Sequence, residues 1–225
     1  LEVATNLARL SPEIPEFSLR PAWILFNAGR HADAKTGYLA WLSRHGEDYS
    51  VPGLREVVRD ARFVLSSISV ELQQIDVAVE ALEKILDEYP EDAAAMNDLG
   101  YLLVDENRSL KRALRMIHAA VEQEPENPMY RDSLGWAYFR LGDFDKAVTE
   151  LEKAASEEPP DPIILDHLAE AQLAAGNLRE AFAIWRRIQR MLKPNEQAPD
   201  QRDHNELRTK IKNKLRVELS TAEAQ

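Results

Sequence analysis

The chain has 225 residues, 44% of them hydrophobic and 30% charged, which is enough apolar material for one ordinary domain or one elongated array. Its formal net charge of −11 argues against a surface built to hold a nucleic-acid backbone. It has no cysteine, which excludes disulfides, thiolate zinc sites and cysteine nucleophiles, and no apolar run approaches the ~18 residues that a membrane span needs.

An internal repeat sets the frame. Ala113, Ala147 and Ala181 are 34 residues apart each time, as are Pro125 and Pro159, while Leu99-Gly100 precedes Leu134-Gly135 by 35. In chain order, residues 1–13 fit this frame as the closing half of an earlier repeat, with Leu7 and Pro12 in the places of Ala154 and Pro159. An exposed half-hairpin lacks a partner for its apolar face, so further repeats are expected before Leu1. A degenerate first repeat covers 15–48. Ala34 then lies 44 residues before Ala78, a surplus of 10 over the period. That surplus falls in 49–58, where Tyr49-Ser50-Val51-Pro52-Gly53 reads as a loop followed by a fresh helix start.

The second repeat covers 59–92, the third 93–127, the fourth 128–161 and the fifth 162–195. Each has two apolar-periodic stretches around a short polar turn such as Arg140-Leu141-Gly142-Asp143, the pattern of an α-hairpin. The first helix carries a small residue in every unit (Ala22, Ser66, Gly100, Gly135, Ala169), and the second carries alanine (Ala34, Ala78, Ala113, Ala147, Ala181). Glycine inside a helix costs roughly 1 kcal/mol relative to alanine, so Gly100 and Gly135 imply close helix approach. Four residues after each alanine stands a larger apolar residue (Tyr38, Leu82, Ile117, Leu151, Trp185) placed to fill the hairpin core. Pro90, Pro125 and Pro159 close the second helices. Glu150 and Lys153 fall on the outer surface in this frame.

Residues 193–200 read as a linker. A capping helix at 200–219 follows, with Leu207, Ile211, Leu215 and Leu219 spaced by four. The stretch 186–219 holds an excess of five positive charges, so the rest of the chain sums to −16. Glu122, Glu124, Glu126, Glu157 and Glu158 read as solvated helix ends, and the basic end as a solubilising cap.

Leu134-Gly135, Ala137-Tyr138, Leu141-Gly142-Asp143-Phe144, Ala147, Ala154 and Pro159 together resemble the tetratricopeptide-repeat signature. The resemblance is strongest from Ala93 to Pro194 and implies an all-α fold, a right-handed superhelical solenoid of helical hairpins. The run from Asn97 to Leu168 is similar to the C-terminal part of large bacterial tetratricopeptide proteins. Many of those are envelope-associated lipoproteins, which favours the periplasm or cell envelope and leaves the cytoplasm open.

In that family the first helices line a concave face. Carried onto this sequence, the groove positions are Trp23 and Phe26, then Phe63 and Ser67, then Asn97, Tyr101 and Val104. The fourth repeat contributes Met129, Asp132, Trp136, Phe139 and Arg140, and the fifth Asp166, Glu170 and Leu173. Aromatic rings with a few charges describe a peptide-binding surface; the alternative for each ring is packing against a neighbouring helix. Asn97 can serve both donor and acceptor of an extended backbone. Arg140 stands without the basic set that clamps a terminal carboxylate in chaperone-binding relatives.

Asp98, Ser133 and His167 share one repeat position and superficially supply an acid, a nucleophile and a base. Neighbouring helices lie ~8–10 Å apart, too far for a working triad. Asp166, His167 and Glu170 lack a histidine from a third helix for a metal site and are expected to be polar side chains facing solvent. The expected function is therefore a scaffold or adaptor that binds a partner polypeptide, with no catalysis, cofactor, metal, nucleic acid or membrane insertion. The other readings are an assembly role through self-association and a regulatory domain of a larger enzyme.

Overall fold

Twelve helices occupy the described parts of the chain: α1 (Glu2–Leu10), α2 (Pro15–Asn27), α3 (His31–His45), α4 (Leu54–Glu71), α5 (Ile75–Glu88), α6 (Ala93–Asp105), α7 (Leu110–Gln123), α8 (Pro128–Leu141), α9 (Phe144–Ala154), α10 (Pro162–Ala174), α11 (Leu178–Met191) and α12 (Arg202–Ala222). They belong to a computed structural model that describes residues 1–10, 14–48, 50–51, 53–156, 159–192 and 202–222. Pro12, Tyr49, Pro52, the pair Glu157 and Glu158, and the 193–200 connection lie outside the described residues. All regular structure among the described residues is helical.

Each first helix ends the same way. One or two positions beyond it, a residue takes a left-handed conformation: Gly29, Gln73, Asn107, Gly142 and Gly176. The amide of the next residue then reaches back five positions, as in Asp143 N to Tyr138 O (3.0 Å) and Asn177 N to Gln172 O (2.9 Å). These bonds satisfy carbonyls that the helix end would leave orphaned and reverse the chain in a few residues. Glycine makes the conformation easy at position 142, with φ +81°. The repeat keeps it at Gln73 and Asn107 although both carry a Cβ. At the other end, Pro128 and Pro162 begin α8 and α10, and Asn127 and Asp161 accept the amides of Met129 and Ile163.

The chain divides into two units, Leu1–Leu102 and Leu103–Gln225. In the first, α2 pairs with α3 and α4 with α5, and α3 packs on α4. Ala34 and Ala78 are fully buried, and the larger residues four positions on, Tyr38 and Leu82, fill the hairpins. Burial pushes the Tyr38 hydroxyl pKa up to about 12. The inserted segment does not hang free. Helix α4 begins at Leu54, five residues before the frame implies, and Leu54 and Val58 join the core of Ala34, Tyr38 and Trp41. Arg55 donates to the Gly46 carbonyl (2.7 Å), and buried Arg62 reaches the Lys84 carbonyl (3.1 Å) and Glu88.

In the second unit, α8 pairs with α9 and α10 with α11, α9 and α8 both touch α10, and α7 packs on α8. Ala147 and Leu151 are fully buried against α8 and α10 residues, as are Ala181 and Trp185 in the last hairpin. Gly135 meets its expected tight approach: a Cβ there would lie 2.5 Å from Leu151 Cγ. Leu207 and Ile211 of α12 are buried with Leu165, Ala169, Trp185 and Ile188. Helix α12 thus covers the last hairpin with one apolar strip.

Candidate partner-binding surface

In the first unit the groove candidates sit on α2, α4 and α6. Trp23 is 45% exposed, with the Arg20 guanidinium 5.0 Å from its ring centre. Phe63 is half-buried beneath the Arg59 guanidinium in the same way, also at 5.0 Å, and Arg59 is itself held by Asp92. Phe26 is less available, because it packs on the α2–α3 core and against the His31 ring. Ser67 is exposed and donates to the Phe63 carbonyl. Asn97 is buried: its amide nitrogen bonds Asp98 (3.2 Å), and its oxygen has no hydrogen-bond partner among the described residues. Tyr101 is half-buried.

The second unit concentrates the chemistry. Phe139 stacks on Trp136 with ring centres 4.7 Å apart, and Trp136 stacks on His167 of the next first helix at 4.5 Å. His167 Nδ1 lies 2.9 Å and 3.0 Å from the two oxygens of Asp132. An ionised carboxylate only accepts, so Nδ1 carries the donated proton and the imidazole plane is fixed. The Trp136 indole nitrogen is shielded from solvent and has no hydrogen-bond partner among the described residues. Met129 is 57% exposed and Leu173 is exposed, whereas Val104 is fully buried and leaves the candidate surface. Arg140 pairs with Asp105 at 3.5 Å.

Asp132, expected in the groove, is buried like Asn97, and α12 covers two further expected groove residues, Asp166 and Glu170. Asp166 is only 2% exposed. It accepts from Trp185 Nε1 (2.8 Å), Lys210 Nζ (2.7 Å) and Lys214 Nζ (3.1 Å). Glu170 accepts from Lys214 at 2.5 Å and pairs with Lys210 at 3.1 Å. Burial pushes both carboxyl pKa values up, but the lysines outweigh it and hold both below the ordinary carboxylate range.

The shared position of Asp98, Ser133 and His167 brings no triad together in the second unit. The Ser133 hydroxyl is directed at the Met129 carbonyl (3.1 Å), and the carboxylate at His167 is Asp132. Among the described residues, no three His, Asp or Glu side chains gather as metal ligands, and no helix is long and apolar enough to cross a membrane.

A tetratricopeptide-repeat family model matches residues 23–194, from the first hairpin through the last. The chain belongs to the tetratricopeptide-repeat family. Its fold class is the all-α hairpin array expected from the sequence. It is similar to the TPR repeat-containing protein PA4667 of Pseudomonas aeruginosa, 28% identical over 157 residues. That match covers 68% of this chain and 25% of the relative, so the chain spans about a quarter of that protein's length. Among solved structures, the tetratricopeptide protein TTC0263 of Thermus thermophilus superposes with a TM-score of 0.65 at 24% identity, over 90% of this chain and 99% of the other. YrrB, a TPR protein with an unusual peptide-binding site, superposes with a TM-score of 0.59 at 18% identity, over 82% and 90%. At these identities the two structures show the fold alone.

The residues that sequence reasoning missed are the partners of the acids. Asp132 and Asp166 hold the same position in successive repeats. Each meets a proton donor from the next element: His167 from α10, Lys210 and Lys214 from α12. The available signal was a histidine 35 residues after Asp132 and lysines 44 and 48 residues after Asp166.

Proposed function

We propose that this chain is a non-catalytic interaction module that holds a partner polypeptide on its first helices, with the Trp136 stack as the principal anchor in the second unit. The observation that carries the reading is the Phe139–Trp136–His167 column, whose middle ring has an indole N–H without a partner among the described residues. A stacked column held by Asp132 is already ordered, so binding to it costs little side-chain entropy. The half-buried rings of Trp136 and Phe139 form a preset apolar contact, and exposed Met129 and Leu173 add to it on the same two helices. In the first unit, exposed Trp23 beside the Arg20 guanidinium presents a second aromatic surface that suits carboxylate-bearing segments.

Peptide-display selection on the intact chain tests this. Selected binders are expected to lose about 30-fold in affinity, or ~2 kcal/mol, with Trp136→Ala in a chain whose melting stays cooperative. Binders indifferent to both Trp136→Ala and Trp23→Ala would overturn the assignment.

A further inference from the structure

Helix α12 touches the last hairpin through a short, specific code. Leu207 and Ile211 enter the apolar cluster of α10 and α11, with Leu215 half-buried beside them. Lys210 and Lys214 stand immediately before Ile211 and Leu215. Both reach the Asp166–Glu170 carboxylate pair, and the Lys214 ammonium also lies 4.7 Å from the centre of the Trp185 ring.

The receiving side is prepared for such a guest. Trp185 Nε1 orients the Asp166 carboxylate from within the hairpin itself, independently of α12. Two neighbouring carboxylates, one of them at the edge of an indole whose face takes an ammonium, form a site that needs cations, because each raises the cost of ionising the other. The preceding repeat shows the same demand, where Asp132 accepts a hydrogen bond from His167 of the next first helix. Helix α12 occupies that place for Asp166. Unlike a repeat helix it is held from one side only: Asn205, Glu206, Thr209, Lys212, Asn213 and Arg216 on its other faces are exposed.

We propose that the α10–α11 end face is a receptor for an amphipathic helix of a partner polypeptide, with α12 as its resident ligand in cis. The partner helix carries apolar residues at intervals of four, with a lysine just before each of the last two. It is distinct from the aromatic anchor around Trp136 and does not depend on it. A tethered helix competes at high effective concentration, so the incoming segment binds measurably only when it matches or exceeds this pattern.

The test uses the whole chain and a labelled synthetic peptide with the sequence of residues 202–222. In a chain carrying K210A and K214A the resident helix is loosened, and the peptide is expected to bind at least tenfold more tightly than to the unmodified chain. The gain should vanish when Asp166→Asn and Glu170→Gln are added, or when the peptide itself carries the two alanines. Trp136→Ala should leave these affinities unchanged, which separates this site from the aromatic anchor. Equal affinity for the unmodified and K210A/K214A chains would overturn the proposal. So would hydrogen exchange showing α10 and α11 opening together with α12, since the helix would then be part of the fold and not its ligand. Dimers that form by exchange of α12, with no peptide taken up, would likewise assign the face to a second copy and sink the proposal.

Discussion

His167 Nδ1 rests 2.9 Å from Asp132 Oδ1, thirty-five residues away in sequence, and this bond ties the first helices of two consecutive repeats. Both side chains are nearly buried, so the pair acts in a medium where an unmet carboxylate is costly. It also sets the plane on which Trp136 stacks.

The pair is therefore expected to be coupled. Asp132→Asn and His167→Gln, made singly and together, should show an interaction energy of about 1–2 kcal/mol in urea unfolding. Additive losses would mean that the bond contributes nothing beyond its parts.

Gly135 and Gly142 should respond to alanine for different reasons. At 135 the new Cβ would meet Leu151 Cγ at 2.5 Å and the Ala147 carbonyl at 3.2 Å, so α8 and α9 must separate. A cost of about 1–3 kcal/mol is expected despite alanine's better helix propensity. At 142 nothing stands within 4 Å, and only the left-handed backbone opposes a side chain. Gly142→Asn should then recover most of the loss from Gly142→Ala, while Gly135 tolerates neither. Thermal melts of the four variants decide the matter.

Glu88 holds two arginines at once. Arg62 and Arg55 both bond it, and these side chains are 5% and 15% exposed, with Glu88 at 18%. Those bonds hold its carboxyl pKa below the ordinary range against the upward push of burial. Glu88→Gln leaves a buried guanidinium without its counter-charge and should cost about 2–4 kcal/mol. Glu80→Gln, on an exposed i,i+4 pair with Lys84, should change stability by less than ~0.5 kcal/mol. Similar denaturation midpoints for the two variants would contradict the staple.

The seating of α12 should depend on acid. Asp166 and Glu170 titrate below their ordinary values in the folded chain because Lys210 and Lys214 outweigh burial. Stabilisation from a depressed carboxyl is complete above the unfolded pKa of roughly 4 and is lost as pH falls through the lower folded value. Lys210 is shifted up, so its share survives until pH rises past roughly 10.4 and through its folded value. Hydrogen exchange in α12 should therefore accelerate below about pH 4 before that in α8 and α9. In Asp166→Asn/Glu170→Gln this acid step should be absent, and its persistence there would assign the release to other groups.

The hairpin interior was legible from the residues because it is periodic. Ala78, Ala113, Ala147 and Ala181 recur every 34 or 35 residues, Ala34 joins them once the ten-residue surplus is set aside, and all are fully buried. A helix interface repeats only where the same volume must be filled again. Glu150 shows where the frame fails. It was expected on the outer surface, yet its side chain is 16% exposed and bonds Arg131 at 2.8 Å. Period alone places a residue on a face, but it does not say whether a long neighbour folds over it.

What the sequence determined by itself was the all-α hairpin repeat, its small-residue contacts and its turns. These follow from local spacing and backbone chemistry. What only the tertiary structure decided was which acids are open and which are met. Asp132, Asp166 and Glu170 look alike along the chain, but one is locked to His167 and the others lie beneath Lys210 and Lys214. Ion pairs and ring stacks depend on distances of a few ångströms between segments 35 to 48 residues apart, and those distances exist only once the helices are packed.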